Sequence, residues 1–227
     1  MRAIACIALL AVALPSYAQQ EPKPEVFSKF SQWTKSRIAA KSGGAFIARS
    51  RSDAPVGATE TTQLTATTTA ISDDQGQTDY QGALIAIVGA DQAGNVDDVR
   101  PVKAGFKTGE RFKLRAVSTF GAHLVIENIN AKGERRQIYP PVGTSVVVIQ
   151  AGADTLLPLG AKEFFEFART TGEEQLVISL RDPRAVGDAA SRQKVFRKDE
   201  EFGTHFVQEV AKGVFPVISE SIRLEHQ

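Results

Sequence analysis

The segment Arg111-Phe112-Lys113-Leu114-Arg115-Ala116-Val117 alternates charged and apolar residues almost throughout its length. Because successive side chains of a strand point to opposite faces, this pattern predicts a half-buried β-strand. Similar short apolar runs recur along the chain, separated by turn-forming stretches such as Lys107-Thr108-Gly109-Glu110. They cover residues 83–88, 123–127, 136–139, 145–149, 164–167 and 175–180. The sequence therefore predicts a mainly β protein with an antiparallel β-sandwich of two layers, immunoglobulin-like, over residues 80–186.

The composition is that of a globular protein with balanced charge. The 227 residues are 42% hydrophobic and 23% charged, with 27 Lys and Arg against 26 Asp and Glu. This balance leaves no surplus of basic residues to neutralise phosphates, so we expect no nucleic-acid partner. A single cysteine excludes a disulfide framework and a thiolate zinc cluster.

The first 18 residues have the organisation of an export signal. Met1-Arg2 is a short basic start, residues 3–14 are apolar, and Ser16-Tyr17-Ala18 puts small residues at positions −3 and −1 of a cleavage site. The apolar run is far shorter than the ~20 residues that span a bilayer as a helix. We expect cleavage near Ala18 and an exported protein, periplasmic or secreted, without a transmembrane segment.

Residues 19–79 are predicted to contain a helix and a threonine-rich connector. Apolar residues recur at helical spacing between residues 25 and 41, and Gly43-Gly44 follows. The helix either packs on the domain behind it or offers Phe27, Phe30 and Trp33 to a partner. The threonine-rich stretch at 59–70 is interpreted as an edge strand or an extended connector.

Residues 187–227 are predicted to add a second amphipathic helix and a last strand. Asp199 can cap a helix in which Phe202, Phe206 and Val210 repeat every four residues. Residues 216–224 alternate like a strand. The densest basic patch precedes them and is either a solvated face or a surface for a partner. It consists of Arg192, Lys194, Arg197 and Lys198.

No spacing in the sequence marks a metal or catalytic site. The three histidines, His123, His205 and His226, lie far apart, and none has a second ligand at metal spacing. The loop from Asp91 to Asp98 is interpreted as a turn rather than a calcium site, because the order of an EF-hand is missing.

Two carboxylate pairs are the candidates for hydrolytic chemistry. They are Glu163 with Glu166 and Glu173 with Glu174. Adjacent strand residues point to opposite faces, and Glu173-Glu174 fits a hairpin turn better. We therefore expect no catalytic residues and no cofactor.

Several segments follow one another in a family-like order. They are residues 106–114, the strand at 124–126, Ile138-Tyr139-Pro140-Pro141, Leu157-Pro158, Phe165-Glu166-Phe167 and Gly172-Glu173-Glu174-Gln175-Leu176-Val177-Ile178-Ser179-Leu180. Residues 80–186 thereby resemble the domain of unknown function 4384 of secreted bacterial proteins. The resemblance implies an exported all-β module with no established catalytic residues to carry over.

These patterns predict an exported, non-catalytic binding module of the bacterial envelope, with an envelope or periplasmic protein as its partner. One alternative is a module for cell wall or glycan, using the threonine-rich edge and Tyr139. The other is a hydrolase that uses paired carboxylates.

Overall fold

The computed structural model describes residues 24–42, 71–72, 79–101, 103–167, 172–186, 194–200, 203–211 and 214–227. This part of the chain contains one helix, α1 (Pro24–Ser42), and thirteen strands. The strands are β1 (Ile71–Ser72), β2 (Asp79–Ala90), β3 (Val96–Arg100), β4 (Arg111–Ser118), β5 (Ala122–Ile129), β6 (Arg135–Tyr139), β7 (Val147–Ile149), β8 (Thr155–Leu157), β9 (Phe165–Glu166), β10 (Gly172–Arg181), β11 (Val195–Glu200), β12 (Gly203–Val210) and β13 (Val217–His226). The export signal and the threonine-rich stretch lie outside the described residues.

The strands form two antiparallel sheets. The larger sheet has the order β11-β12-β2-β4-β8, with β1 and β3 also paired to β2 and β9 paired to β4. The smaller sheet has the order β13-β10-β5-β6, with β7 also paired to β5. The prediction of a mainly β, two-sheet sandwich is confirmed. The finer immunoglobulin-like topology stays a prediction.

The hydrophobic core lies between the two sheets. Alternate residues of β2 and β4, among them Ile85 and Leu114, meet alternate residues of β5 and β10, such as Leu124 and Ile178. All four side chains are almost completely buried. The period-two patterns of the sequence thus mark the faces that the two sheets turn towards each other.

Helix α1 covers the outer face of the larger sheet. Val26, Phe27 and Phe30 pack against Tyr80 and Val207, in a cluster separate from the core between the sheets. The helix predicted for residues 25–41 is therefore confirmed, and it packs on the domain behind it. Within the described residues, no helix is long and apolar enough to cross a membrane.

The prediction of a second helix after Asp199 is wrong. Residues 195–200 and 203–210 are instead strands β11 and β12, paired with each other. A spacing of four residues keeps side chains on one face of a helix, but it does the same in a strand, because four is an even number. Phe206 accordingly lies in the core between the sheets.

The C-terminal strands belong to both sheets. Strand β12 pairs with β2 in the larger sheet, and β13 pairs with β10 over its whole length in the smaller one. The last strand is therefore as predicted. Strands β11, β12 and β13 are therefore parts of the sandwich and not an extension beside it.

Candidate functional site

At one end of the smaller sheet, the side chains that face the larger sheet change from apolar to polar. The inner-facing positions of three strands end on Asn128 in β5, Glu174 in β10 and His226 in β13, next to Ile126, Leu176 and Leu224 in the same strands. Polar side chains at core-facing positions are unusual and need hydrogen-bond partners. This end of the sandwich is therefore a polar layer above an apolar core.

The polar layer is joined by hydrogen bonds. The amide Nδ2 of Asn128 donates to Oε2 of Glu174 at 2.7 Å, and Oε1 of Glu174 lies 3.2 Å from Nδ1 of His226. On the other side of the imidazole, Nε2 of His226 is 3.0 Å from Oγ1 of Thr108. Glu174 is 8% exposed and His226 is 3% exposed. Both oxygens of the Glu174 carboxyl are thus held in place by neighbouring side chains.

Thr108 lies next to His226 because backbone hydrogen bonds join the segment before β4 to β13. The backbone N–H of Phe106 donates to the carbonyl of Glu225 at 2.8 Å, and the N–H of Gln227 donates to the carbonyl of Phe106 at 2.7 Å. Within the turn, Glu110 accepts hydrogen bonds from the N–H of Lys107 and from Arg100. Burial raises the pKa of Glu110, but these hydrogen bonds and the charge of Arg100 outweigh it and leave the pKa below its usual value.

Two members of the polar layer, Asn128 and Glu174, line the floor of a cleft of about 410 Å³ between the sheets. Ligand sites in proteins commonly have volumes of about 300–1,000 Å³. Phenylalanine rings of β4 and of residues 165–167 line it, together with polar and apolar side chains of the smaller sheet and of the turn between β5 and β6. The cleft is lined by Phe112, Asn128, Asn130, Glu134, Arg136, Ile138, Phe165, Glu166, Phe167, Glu174, Leu176 and Leu224.

The residues that line the cleft carry more carboxyl groups than basic groups. Glu134 accepts a hydrogen bond from Nδ2 of Asn130 at 2.7 Å, and Glu166 forms an ion pair with Nε of Arg111 at 2.8 Å. Arg136 supplies the positive charge among the lining residues. Thr108, His226 and Glu174 are joined by hydrogen bonds, and of these three residues only Glu174 lines the cleft.

The hydrogen-bonded chain Thr108–His226–Glu174 joins a hydroxyl, an imidazole and a carboxylate in that order. In hydrolases, the same order of groups activates a nucleophilic hydroxyl. Here the imidazole is buried between β13 and the turn before β4, and the hydroxyl lies outside the cleft. The arrangement therefore positions the carboxyl of Glu174 and does not aim Thr108 at a molecule in the cleft.

The aromatic residues predicted as a contact surface are turned inwards. Phe27 and Phe30 are buried against the larger sheet, and Trp33 is half-buried with its ring 5.8 Å from that of Phe30. Their interpretation as exposed partner contacts does not hold while α1 is docked, because the apolar stripe of a surface helix is the side that packs on the sheet.

The basic patch is divided by strand geometry. Lys198 lies on the same face of β11 as Phe196, whereas Arg197 lies on the other. Lys194 precedes the strand, and its Nζ is 4.7 Å from the centre of the Phe196 ring. Lys198 is 3.1 Å from Glu200, and Arg197 is 3.0 Å from Asp199. Arg192 lies outside the described residues. The charges at 194–198 therefore do not form one basic face.

The predicted carboxylate pairs are not brought together as pairs. Glu163 accepts a hydrogen bond from the N–H of Gly160, whereas Glu166 is paired with Arg111. The turn predicted for Glu173-Glu174 is wrong, since both residues lie in β10 with their side chains on opposite faces. Glu173 is exposed and lies 3.7 Å from Arg223.

Two further sequence candidates have structural roles. The hydroxyl of Tyr139 has a partner within the protein, because it accepts a hydrogen bond from the N–H of Leu159 at 3.1 Å.

Asp91 accepts hydrogen bonds from the backbone of Ala93 and Asn95 and from the side chain of Asn95, which lower its pKa. The turn interpretation of this loop is therefore confirmed. In the described ranges, no three His, Cys, Asp or Glu side chains cluster as a metal site.

Sequence reasoning missed the polar layer, although one signal for it was present. Glu174 is in phase with Leu176 and Ile178, and His226 is in phase with Ile222 and Leu224. A polar residue at the end of an inward-facing series is visible in the sequence. Its partner across the sheet is not, because the partner depends on the register of strands far apart in the chain.

Comparison of the chain with models of protein families, with curated proteins and with solved structures gave no match.

Proposed function

We propose that this chain is an exported binding module, and that the cleft above Glu174 is its binding site. The observation that carries the proposal is the polar layer, in which a buried carboxyl is held by Asn128 and His226 at the floor of an open cleft. Folded proteins place polar groups at core-facing positions at a cost in stability, and ligand sites combine such groups with apolar walls. The proposed partner is an envelope or periplasmic protein.

Export is the part of the proposal that rests on the first 18 residues. Their basic start, short apolar run and small residues before Gln19 have the pattern of a cleaved signal. Mass spectrometry of the protein from its own bacterium tests it. We expect a chain that begins at Gln19 in the periplasmic or secreted fraction, and an intact Met1 in the cytoplasm would contradict export.

The partner is tested by in-cell crosslinking of the tagged, full-length chain, followed by quantitative mass spectrometry. The informative variant is Phe165→Ala, because Phe165 is half-buried and lines the cleft. The matched control is Phe164→Ala, one residue away, where the ring instead lies under the guanidinium of Arg111 at 4.4 Å. Both variants are first compared with the wild type by thermal unfolding.

We expect one envelope protein to be crosslinked in stoichiometric amounts to the wild type and to Phe164→Ala. Its yield falls with Phe165→Ala. Recovery of background proteins alone, or equal yields from the two variants, would remove the cleft as the binding site.

The glycan-binding alternative keeps the cleft but not Tyr139, which is buried and does not line the cleft. In its favour, an aromatic ring, that of Phe165, and the polar side chains of Asn130 and Glu134 line the same cleft. Soluble cell-wall fragments would then raise the melting temperature of the protein, because a ligand that binds only the folded state stabilises it. No shift at saturating fragment removes this alternative.

A further inference from the structure

We propose that the occupant of the cleft is an extended segment of the partner protein that inserts a basic side chain, Lys or Arg, towards Glu174. This inference rests on the proposed function, since it names the chemistry of the ligand for the same site. Three independent features of the cleft support it: its charge, its aromatic wall and the open edge of the strand at its rim.

The charge of the cleft differs from that of the whole protein. The chain has nearly equal numbers of basic and acidic residues, 27 and 26. The cleft, however, is lined by three carboxyl groups, those of Glu134, Glu166 and Glu174, and by one guanidinium, that of Arg136. Even with Arg111 paired to Glu166, one carboxyl is in excess when the imidazole of His226, which contacts Glu174, is neutral. A cleft with this charge attracts cations and repels acidic groups.

Glu174 has acceptor capacity left for a ligand. A carboxylate offers about four lone-pair directions. The hydrogen bond from Asn128 uses one oxygen, and the contact with His226 uses the other. The remaining directions can accept N–H groups of an ammonium or guanidinium. Because Glu174 is only 8% exposed, such a bond forms away from bulk water, where charge-assisted hydrogen bonds are strong.

The aromatic wall suits the stem and the charge of a basic side chain. Phe112 and Phe165 have ring centroids 5.4 Å apart, and Phe167 lies 5.0 Å from Phe112. Cations are attracted to the faces of such rings, and the methylene groups of Lys and Arg pack on apolar surfaces. The protein itself uses this contact nearby, where the guanidinium of Arg100 lies 4.8 Å from the centre of the Phe106 ring.

The strand at the rim can hold an extended backbone. In the described part of the chain, β6 is the last strand of the smaller sheet and pairs with β5 alone. Its Arg136 and Ile138 line the cleft. An edge strand presents N–H and C=O groups that an extended segment can use to add a strand to the sheet. A segment paired with β6 would bring alternate side chains over the cleft.

The experiment is an NMR titration of the isotope-labelled, purified protein with three peptides. Each is an acetylated and amidated pentapeptide of valine and threonine with a different central residue: lysine, norleucine or glutamate. Norleucine keeps the aliphatic stem and removes the charge. We expect the lysine peptide to shift the amide signals of residues 134–139 and 165–167, and to bind roughly tenfold or more tightly than the norleucine peptide.

The variant Glu174→Gln isolates the contribution of the buried carboxyl. It is expected to weaken binding of the lysine peptide by roughly tenfold and to leave the norleucine peptide unchanged. The matched control is Glu173→Gln, the adjacent residue on the outer face, which should bind the lysine peptide as the wild type does. If Glu174→Gln fails to fold, the comparison of lysine with norleucine on the wild type still decides the question.

Equal affinity for lysine and norleucine, shifts that map outside the cleft, or no binding of any peptide would overturn the inference. These results leave the proposed function standing if Phe165→Ala still loses the crosslinked partner. Conversely, an unchanged partner yield with Phe165→Ala removes the proposed function, whatever the peptides do.

Discussion

The aromatic ring of Phe30 in α1 lies directly on Gly82 in β2, so that a Cβ added at Gly82 would be 2.9 Å from two ring atoms. The same Cβ would be 2.6 Å from the backbone carbonyl oxygen of Phe206 in the neighbouring strand. The absence of a side chain at residue 82 therefore lets the helix approach the sheet. Phe30 is 1% exposed as a result.

We expect Gly82→Ala to lower the free energy of unfolding by about 1–3 kcal/mol, because the ring or the strand must move to make room. Urea-induced unfolding measures this. The control is Gly105→Ala, whose Cβ would have the end of the flexible Gln227 side chain as its nearest neighbour. Equal losses from both variants would mean that α1 does not rest on Gly82.

The variant Gly203→Ala distinguishes a strand from a helix in the C-terminal part. In a helix interior, Ala is more favourable than Gly by about 1 kcal/mol, so the substitution would stabilise the protein. In β12, Gly203 has φ of +141°, and its Cβ would lie 2.7 Å from the carbonyl oxygen of Ile85. We therefore expect a loss of stability of at least about 1 kcal/mol in urea unfolding, from backbone strain and crowding. A gain would restore the helix interpretation.

His205 connects stability to pH at the interface between α1 and the sheet. Thr34 donates its hydroxyl proton to the carbonyl of Ser31, so Nε2 of His205, 3.2 Å away, is the donor to Thr34. Burial lowers the pKa of His205 from 6.5 to about 4, although the charge of Glu200 opposes the shift. Lys35 and Lys198 also face the imidazole and lower its pKa further.

The unfolded chain takes up a proton on His205 below about pH 6.5, whereas the folded protein does so only near pH 4. The contribution of His205 to stability is therefore constant above about pH 6.5 and falls as the pH is lowered towards 4. We expect the free energy of unfolding to drop by about 2–3 kcal/mol more in the wild type than in His205→Gln between pH 7 and pH 4.5. His123→Gln, on β5, is the matched control for the removal of an imidazole. Identical pH profiles of wild type and His205→Gln would contradict a neutral, buried imidazole.

Thr108→Val tests the hydrogen-bonded chain that ends at Glu174. The substitution keeps the shape of the side chain and removes the hydroxyl that lies 3.0 Å from Nε2 of His226. A buried ring nitrogen without a partner costs about 1–3 kcal/mol, which denaturant unfolding resolves. Thr144→Val is the control, because the hydroxyl of Thr144 donates to the carbonyl of Pro141 in an exposed turn. Similar, small effects of both variants would separate Thr108 from the polar layer.

Local patterns were sufficient for most of the elements. Strand β4 follows from the alternation of residues 111–117, because a strand shows its two faces with period two. Helix α1 follows from apolar residues at three-to-four spacing, and Gly94 and Gly133 mark turns between strands, with φ of 80° and 81°. In each case the deciding information lies within one element.

The prediction of a C-terminal helix was wrong because the spacing of Phe202, Phe206 and Val210 fits both the period of a helix and the period of a strand. Residues such as Thr204 and Val207, which favour strands, lie between them. The deciding factor was not local, since β12 is held between β11 and β2. As a strand, β12 pairs with the facing backbone groups of β11 and β2, which a helix at this place would leave without these partners.

By itself, the sequence determined that this chain is a mainly β protein of two layers with an amphipathic helix before it, because those properties depend on residues a few positions apart. Only the tertiary structure decided that Thr108, Asn128, Glu174 and His226 meet at the end of the sandwich. Their contact requires a particular register between β5, β10 and β13, and a turn tied to the last strand. Strand register is set by packing across the whole core, so no short segment contains it.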